Sequence, residues 1–147
     1  IFVMTISTLF TYLIFNYLLK PYGLEFLQTI TFIIVIATLV QLVEIVIRSA
    51  NPRLYNSLGI YLPLITTNCA ILGVALLAVQ KNFNLLHSVV YSCSTAVGFT
   101  LALVIMACIR EQLDLTGVPK RMEGFPIALI TAGILALAFM GFTGIVR

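Results

Sequence analysis

The sequence predicts an all-α fold, a polytopic bundle of membrane helices, on three observations. Hydrophobic residues make up 61% of its 147 positions and charged residues 9%, against roughly 25% charged in an ordinary soluble domain. So few polar side chains cannot cover a water-facing exterior, a demand that a lipid-facing exterior removes. The apolar residues also fall in runs close to the roughly 20 positions a membrane helix requires, separated by turn-forming clusters.

Five spans follow in order. Residues 1–19 carry no charged side chain and end on Lys20-Pro21-Tyr22-Gly23, a turn signal. Residues 24–47 form the second span, with Glu25 near its start and Glu44 near its end, before the polar link Arg48-Ser49-Ala50-Asn51-Pro52-Arg53. The third covers residues 57–79 and is irregular, the fourth residues 85–109. A polar stretch over residues 110–124 leads to the fifth span, residues 126–146, in which Pro126 suits a first turn because its missing N–H has no intrahelical partner there. The five make a single integral membrane domain over residues 1–147. Ile1 opens inside an apolar stretch, with neither an initiator Met nor the order of a signal peptide. The expectation is a chain truncated at its N-terminus.

Composition excludes several functions. The net charge of +3 is scattered, without the clustered basic patch that nucleic-acid binding needs. Cys69, Cys93 and Cys108 are too few and too poorly spaced for a disulfide framework or a zinc motif. Cys93 and Cys108 fall on one helical segment about 22 Å apart, so they cannot share a metal. No Gly-rich nucleotide fingerprint is present, and the expectation is that this chain itself binds neither nucleotide nor flavin.

Counting Lys and Arg in alternate loops gives an orientation. Arg48, Arg53, Arg110, Lys120 and Arg121 fall on one side, Lys20, Lys81 and Arg147 on the other. The larger group marks the cytoplasm. Residues 28–48 and 127–147 also echo each other, each carrying Ile-Thr early and ending on an aliphatic residue and Arg. An internal repeat, common in membrane transport folds, and chance similarity between two apolar helices both account for this.

The third span carries the chemistry. Pro63 removes a backbone donor and strains a continuous helix, and Thr66-Thr67-Asn68 then place three polar residues at mid-span. Polar groups in the hydrocarbon need partners, which the freed backbone groups of a broken helix supply. Two half-helices meeting near the midplane between about Pro63 and Cys69 are therefore predicted. On the residues alone two readings of Cys69 stay open. It is a small apolar filler in a Pro-kinked helix, or it is a thiolate ligand of a metal cluster whose other ligands lie elsewhere, since iron–sulfur clusters are normally held by four.

The run from Leu58 to Leu76, with Thr66-Thr67-Asn68-Cys69-Ala70 at its centre, closely resembles the family of A subunits of Rnf electron transport complexes. So do Ala96-Val97-Gly98-Phe99, Ile109-Arg110-Glu111, Ala128-Leu129-Ile130-Thr131-Ala132-Gly133 and Ala138-Phe139-Met140-Gly141-Phe142. The E subunits of the sodium-pumping NADH:quinone oxidoreductase are similar but usually carry Val where Thr67 stands. The resemblance implies six membrane helices in two inverted three-helix halves, of which this chain holds the last five, and an outward C-terminus. It implies an intramembrane [2Fe–2S] cluster shared with a homologous sister subunit (the E subunit of the same complex). Cys69 matches one ligand position, Thr66, Thr67 and Asn68 surround it, and a second ligand belongs to the absent first helix. It further implies a bacterial or archaeal cytoplasmic membrane, other complex subunits and the lipid bilayer as partners, and ferredoxin-to-NAD electron flow coupled to Na⁺ or H⁺ transport, with ferredoxin and NAD bound by those other subunits.

The remaining polar residues have simpler readings. Glu44 is spaced for an ion pair with Arg48 one turn on, and is also a candidate ion-path residue. Arg110 and Glu111 suit interface anchors or subunit contacts, His87 an interfacial position, and Cys93 and Cys108 packing. Gly133, Gly141 and Gly144 suit close helix approach. A secondary transporter with its site at the broken helix is the rival function, and a structural scaffold a third. The charge count makes the orientation testable. A reporter that works only outside the cytoplasm, fused after Arg147, is expected to be active, and activity of a cytoplasm-dependent reporter there would overturn the assignment.

Overall fold

The computed structural model describes residues 1–145, and all regular secondary structure among them is helical. They fall into two compact units, Ile1–Gly98 and Phe99–Arg147. Val146 and Arg147, the end of the expected fifth span and the outermost charge, lie outside the described residues.

In the first unit, α1 (Phe2–Ile14) runs without interruption into a π-helical turn, Phe15–Leu19, and then α2 (Lys20–Tyr22). Gly23 closes this span at φ +65, a left-handed conformation in which glycine has no Cβ to clash, and the Leu24 N–H reaches back to the Leu19 carbonyl at 3.2 Å. A 3₁₀ turn, Glu25–Leu27, opens α3 (Gln28–Ala50). Asn51 ends α3 because Pro52 disfavours the helical region for the residue before it. Pro52 in turn starts α4 (Pro52–Leu58), where its lost N–H has no intrahelical acceptor. After Gly59 come α5 (Tyr61–Thr66) and α6 (Cys69–Gln80), then a short connection and α7 (Leu85–Thr116), whose residues up to Gly98 belong to the first unit.

Among the described residues four stretches are long and apolar enough to cross a membrane: Phe2–Tyr22, Glu25–Ala50, Tyr61–Gln80 and Leu85–Thr116. Three expectations need correction. The third span starts at Tyr61 rather than residue 57, since residues 52–58 form a helix of their own. Pro63 accordingly sits in the first turn of α5, where it breaks nothing; the interruption itself falls at Thr67–Asn68, inside the expected interval between Pro63 and Cys69 and close to the middle of the span. The fourth span does not stop at residue 109. Its 32 residues measure about 48 Å against a hydrocarbon core of about 30 Å, so its charged end, Arg110, Glu111 and Asp114, is helix rather than loop. The fifth is shorter than expected: α8 (Phe125–Met140) has 16 residues and gives way to turns over residues 141–145.

The core of the first unit lies between α1, α3, α6 and α7. One cluster joins Met4, Ile36, Val40, Ile71, Val74 and Ala96, and a second joins Phe32, Ala75 and Val79, with the Phe15 ring edge-on to Phe32 at 6.5 Å. Lipid tails are as apolar as these side chains, so close packing rather than transfer from water holds such an interface. The outward faces keep their apolar residues, among them Ile30, Ile34, Ile45, Val46 and Leu86, each more than half exposed.

Hydroxyls are buried where a soluble protein would bury aliphatics. Ser7, Thr8, Thr11, Ser88 and Ser92 are all within 1% of full burial. The Thr8 hydroxyl lies 2.9 Å from the Met4 carbonyl and 3.0 Å from the Ser92 hydroxyl, sharing its one proton between them and joining α1 to α7, while Thr11 donates to the Ser7 carbonyl at 2.7 Å. In the second unit, α7 and α8 are joined through residues 117–124, where Gly117 and Gly124 take positive φ. A Cβ added at Gly133 or Gly144 would meet open space, and one at Gly141 only the carbonyl of Ala138 in its own turn. These glycines therefore do not serve close helix approach among the described residues.

Two substitutions test this packing. Phe32→Ala is expected to cost about 3 kcal/mol through the cavity it leaves. Thr8→Val, which keeps volume but loses the bond to Ser92, is expected to cost about 0.6 kcal/mol. Unfolding in mixed micelles measures both, and a larger loss for Thr8→Val than for Phe32→Ala would contradict the assignment of the core.

Candidate functional site at the interrupted span

The break satisfies its own backbone groups with local side chains. The α5 carbonyls of Leu64 and Ile65 accept from the Thr67 hydroxyl at 3.3 Å and the Asn68 N–H at 3.2 Å. On the other side Asn68 caps α6. Its backbone is extended (φ −75, ψ 110), its carboxamide oxygen accepts from the Ala70 N–H at 3.0 Å, and its carbonyl accepts from Ile71 N–H at 3.2 Å. Asparagine is among the best residues for this position, because a short acceptor side chain reaches a first-turn N–H that has no intrahelical acceptor. In a bilayer, where water is absent, such an end left uncapped costs more than in solution.

This capping fixes Cys69 as the first residue of α6. Its thiol is exposed, with the Thr67 carbonyl 4.0 Å from Sγ as its nearest polar contact. Beside it lies a cavity of about 220 Å³, walled by Thr66, Thr67, Asn68, Cys69 and Leu72 and, from α3, by Ile33 and Ile36. The structure thus brings together Thr66, Thr67, Asn68 and Cys69. Ile33 and Ile36 belong with them, and the sequence offered no sign of this beyond a three-residue helical spacing on another span.

The other candidates stand apart. Glu44 does not pair with Arg48. It is half-buried at the α3–α4 contact, where the Tyr55 hydroxyl donates to its Oε1 at 3.5 Å, and the Arg48 guanidinium lies over the Tyr55 ring, 5.7 Å from its centre. The ring competes for the cation that spacing alone assigned to Glu44. Cys93 is half-buried with its Sγ 3.4 Å from the Thr5 hydroxyl, and Cys108 is exposed on α7. His87 is exposed, its ring 6.5 Å from that of Phe83.

Among the described residues no three His, Cys, Asp or Glu side chains come together as a metal site. The donor chemistry at the break is one exposed thiol on an apolar surface. That suits a single ligand of a site completed by other chains, and not a whole coordination sphere.

A helical membrane protein with an interrupted span that presents one thiol beside an apolar cavity is the class this fold and site define. The family model described as Rnf-Nqr subunit, membrane protein, matches residues 1–146, and the chain belongs to that family. It is 53% identical to the A subunit of the Na⁺-translocating ferredoxin:NAD⁺ oxidoreductase complex of Acetobacterium woodii, over 97% of this chain and 74% of the relative. It is 56% identical to the A subunit of the ion-translocating oxidoreductase complex of Syntrophotalea carbinolica, over 99% of this chain and 75% of the relative. With the corresponding protein of Vibrio cholerae the identity is 50%, over 99% and 76%.

The cap is directly testable. Asn68→Ala is expected to lower stability by about 1 kcal/mol, and Asn68→Ser to retain most of it, in the same micelle assay. Equal losses for the two variants would show that the carboxamide does not hold the break.

Proposed function

We propose that this chain is a membrane subunit of an ion-translocating ferredoxin:NAD⁺ oxidoreductase complex, and that Cys69 contributes one thiolate to an intramembrane [2Fe–2S] cluster. The observation that carries the reading is the exposed thiol at the start of α6, held there by the Asn68 cap and the Thr67 hydroxyl. The other ligands come from outside these 147 residues: one Cys from a preceding helix and two from a homologous sister subunit. Two features of the site support this. The thiol is exposed, where a second chain can reach it. The cavity beside it is walled by Ile33, Ile36 and Leu72, which give a bound cluster an apolar surround.

A cluster bound there supplies one-electron transfer across the dry middle of the complex. The residues of this chain do the rest. Asn68 and Thr67 hold the backbone of the break in one geometry, so that Cys69 is preorganised rather than recruited. Thr66 and Thr67 border the same space; the Thr67 hydroxyl is committed to the Leu64 carbonyl, which leaves Thr66 to tune it by hydrogen bonding. Ferredoxin and NAD⁺ bind other subunits, and the translocated ion is Na⁺ or H⁺, with Na⁺ named for the Acetobacterium woodii complex.

In the intact complex, Cys69→Ala is expected to abolish the EPR signal of this cluster and ferredoxin-to-NAD⁺ electron flow while the protein still inserts and assembles. Cys93→Ala and Cys108→Ala are expected to leave both largely unchanged. A Cys69→Ala complex with full iron content and normal activity would make the residue a packing cysteine and end the proposal.

A further inference from the structure

Away from the interrupted span, two adjoining cavities occupy the end of the first unit beside Lys20. The first, about 190 Å³, is mainly polar: Asn16 and Lys20 line it from the first span, and Asn82 and Asn84 from the connection between α6 and α7. The second, about 420 Å³, is almost wholly apolar and runs along α7 past Leu86, Val90 and Tyr91. Phe83 borders both; the amide and ammonium groups lie on the first cavity's side of this ring, and on the other the lining is mainly hydrocarbon, with His87 and Ser94 as its polar members.

Among the described residues, the polar cavity has one cation, three carboxamides and no carboxylate in its wall. Its shape depends on two departures from regular backbone. Asn16 lies in the π turn Phe15–Leu19, a widened turn that shifts the side chains after it relative to α1, and Asn82 takes φ 51, which asparagine tolerates better than most residues. A second cation stands at the boundary, with the Lys81 ammonium 5.8 Å from the centre of the Phe83 ring and 5.6 Å from that of Tyr91. The level is that of a bilayer surface. The first span ends here at Gly23, and Tyr17, Tyr22 and Phe26 are each more than 70% exposed, as aromatic residues are at the headgroup boundary.

A cationic, amide-lined pocket opening onto a hydrocarbon groove at this depth matches one kind of molecule, an amphiphile with an anionic head. We propose that these cavities bind one anionic phospholipid, its phosphate beside Lys20, Asn16 and Asn82 and an acyl chain along Leu86, Val90 and Tyr91. The charge of the pocket selects the head, and the groove retains the chain. None of these residues borders the Cys69 cavity, and the proposal is independent of the redox reading.

Native mass spectrometry of the delipidated intact complex, titrated separately with phosphatidylglycerol, phosphatidylcholine and inorganic phosphate, tests it. Phosphatidylglycerol is expected to bind in preference to phosphatidylcholine. Lys20→Gln is expected to weaken phosphatidylglycerol about fivefold and leave phosphatidylcholine unchanged, while Val90→Asn weakens both lipids. Inorganic phosphate at millimolar concentration is expected not to displace the lipid. Equal binding of the two lipids, or no effect of Lys20→Gln, would overturn the proposal. Displacement by phosphate alone would make the pocket a soluble-anion site, and a cross-link from position 20 to a carboxylate of a neighbouring protein would make its occupant polypeptide. Either result overturns it as well.

Discussion

The backbone of a membrane span has no water to turn to, so every N–H and C=O released by a break in a helix must find a partner within the protein. At Thr67–Asn68 the sequence meets that constraint locally. The Thr67 hydroxyl and the Asn68 N–H turn back to α5, and the Asn68 carboxamide and carbonyl turn forward to α6. Remove these and the interruption is a cost with nothing to offset it. Keep them and the span can change direction, set a helix N-terminus away from either membrane surface, and place Cys69 at that N-terminus.

Packing around the break follows from the same condition. α3 supplies Ile33 and Ile36 to the cavity and, with Val40 one turn further on, Ile36 to the core as well, so a single helix face both anchors α6 and walls the thiol. Between α1 and α7 the Thr8 and Thr11 hydroxyls bond to the preceding turn and Thr8 meets Ser92, while the buried Ser7 and Ser88 hydroxyls have no partner among the described residues; all are small enough to let the helices approach where apolar bulk would hold them apart. Burial in this protein is therefore a matter of fit more than of escape from water. The unpacked apolar faces remain for lipid and for other subunits.

The helical class and the family were legible because both rest on long patterns. Apolar runs about the width of a bilayer survive errors of a few residues at each end, and the Thr66–Ala70 run is distinctive in itself. The boundaries were less legible, for local reasons. Pro63 reads as a breaker only if a helix precedes it, and it sits in a first turn because Asn51-Pro52 and Gly59 had already divided the chain. Arg110 reads as the end of a span, yet α7 continues to Thr116 because nothing after Arg110 stops a helix until Gly117. Partners across space were not legible at all. Glu44 was spaced for Arg48, but the Tyr55 ring, brought over by α4, takes the guanidinium. Ile33 and Ile36 gave no sign that they wall the site, and the π turn after Ile14 has no sequence signature.

On the proposed reading the Cys69 thiol is one ligand of a site shared with other chains, and the capped break presents it. The most direct measurement is iron-edge anomalous scattering from crystals of the intact complex. The account predicts an iron peak bonded to the Cys69 sulfur at the boundary with a second subunit. An ordered Cys69 side chain packed only against aliphatic groups, with the complex's iron located elsewhere, would contradict it.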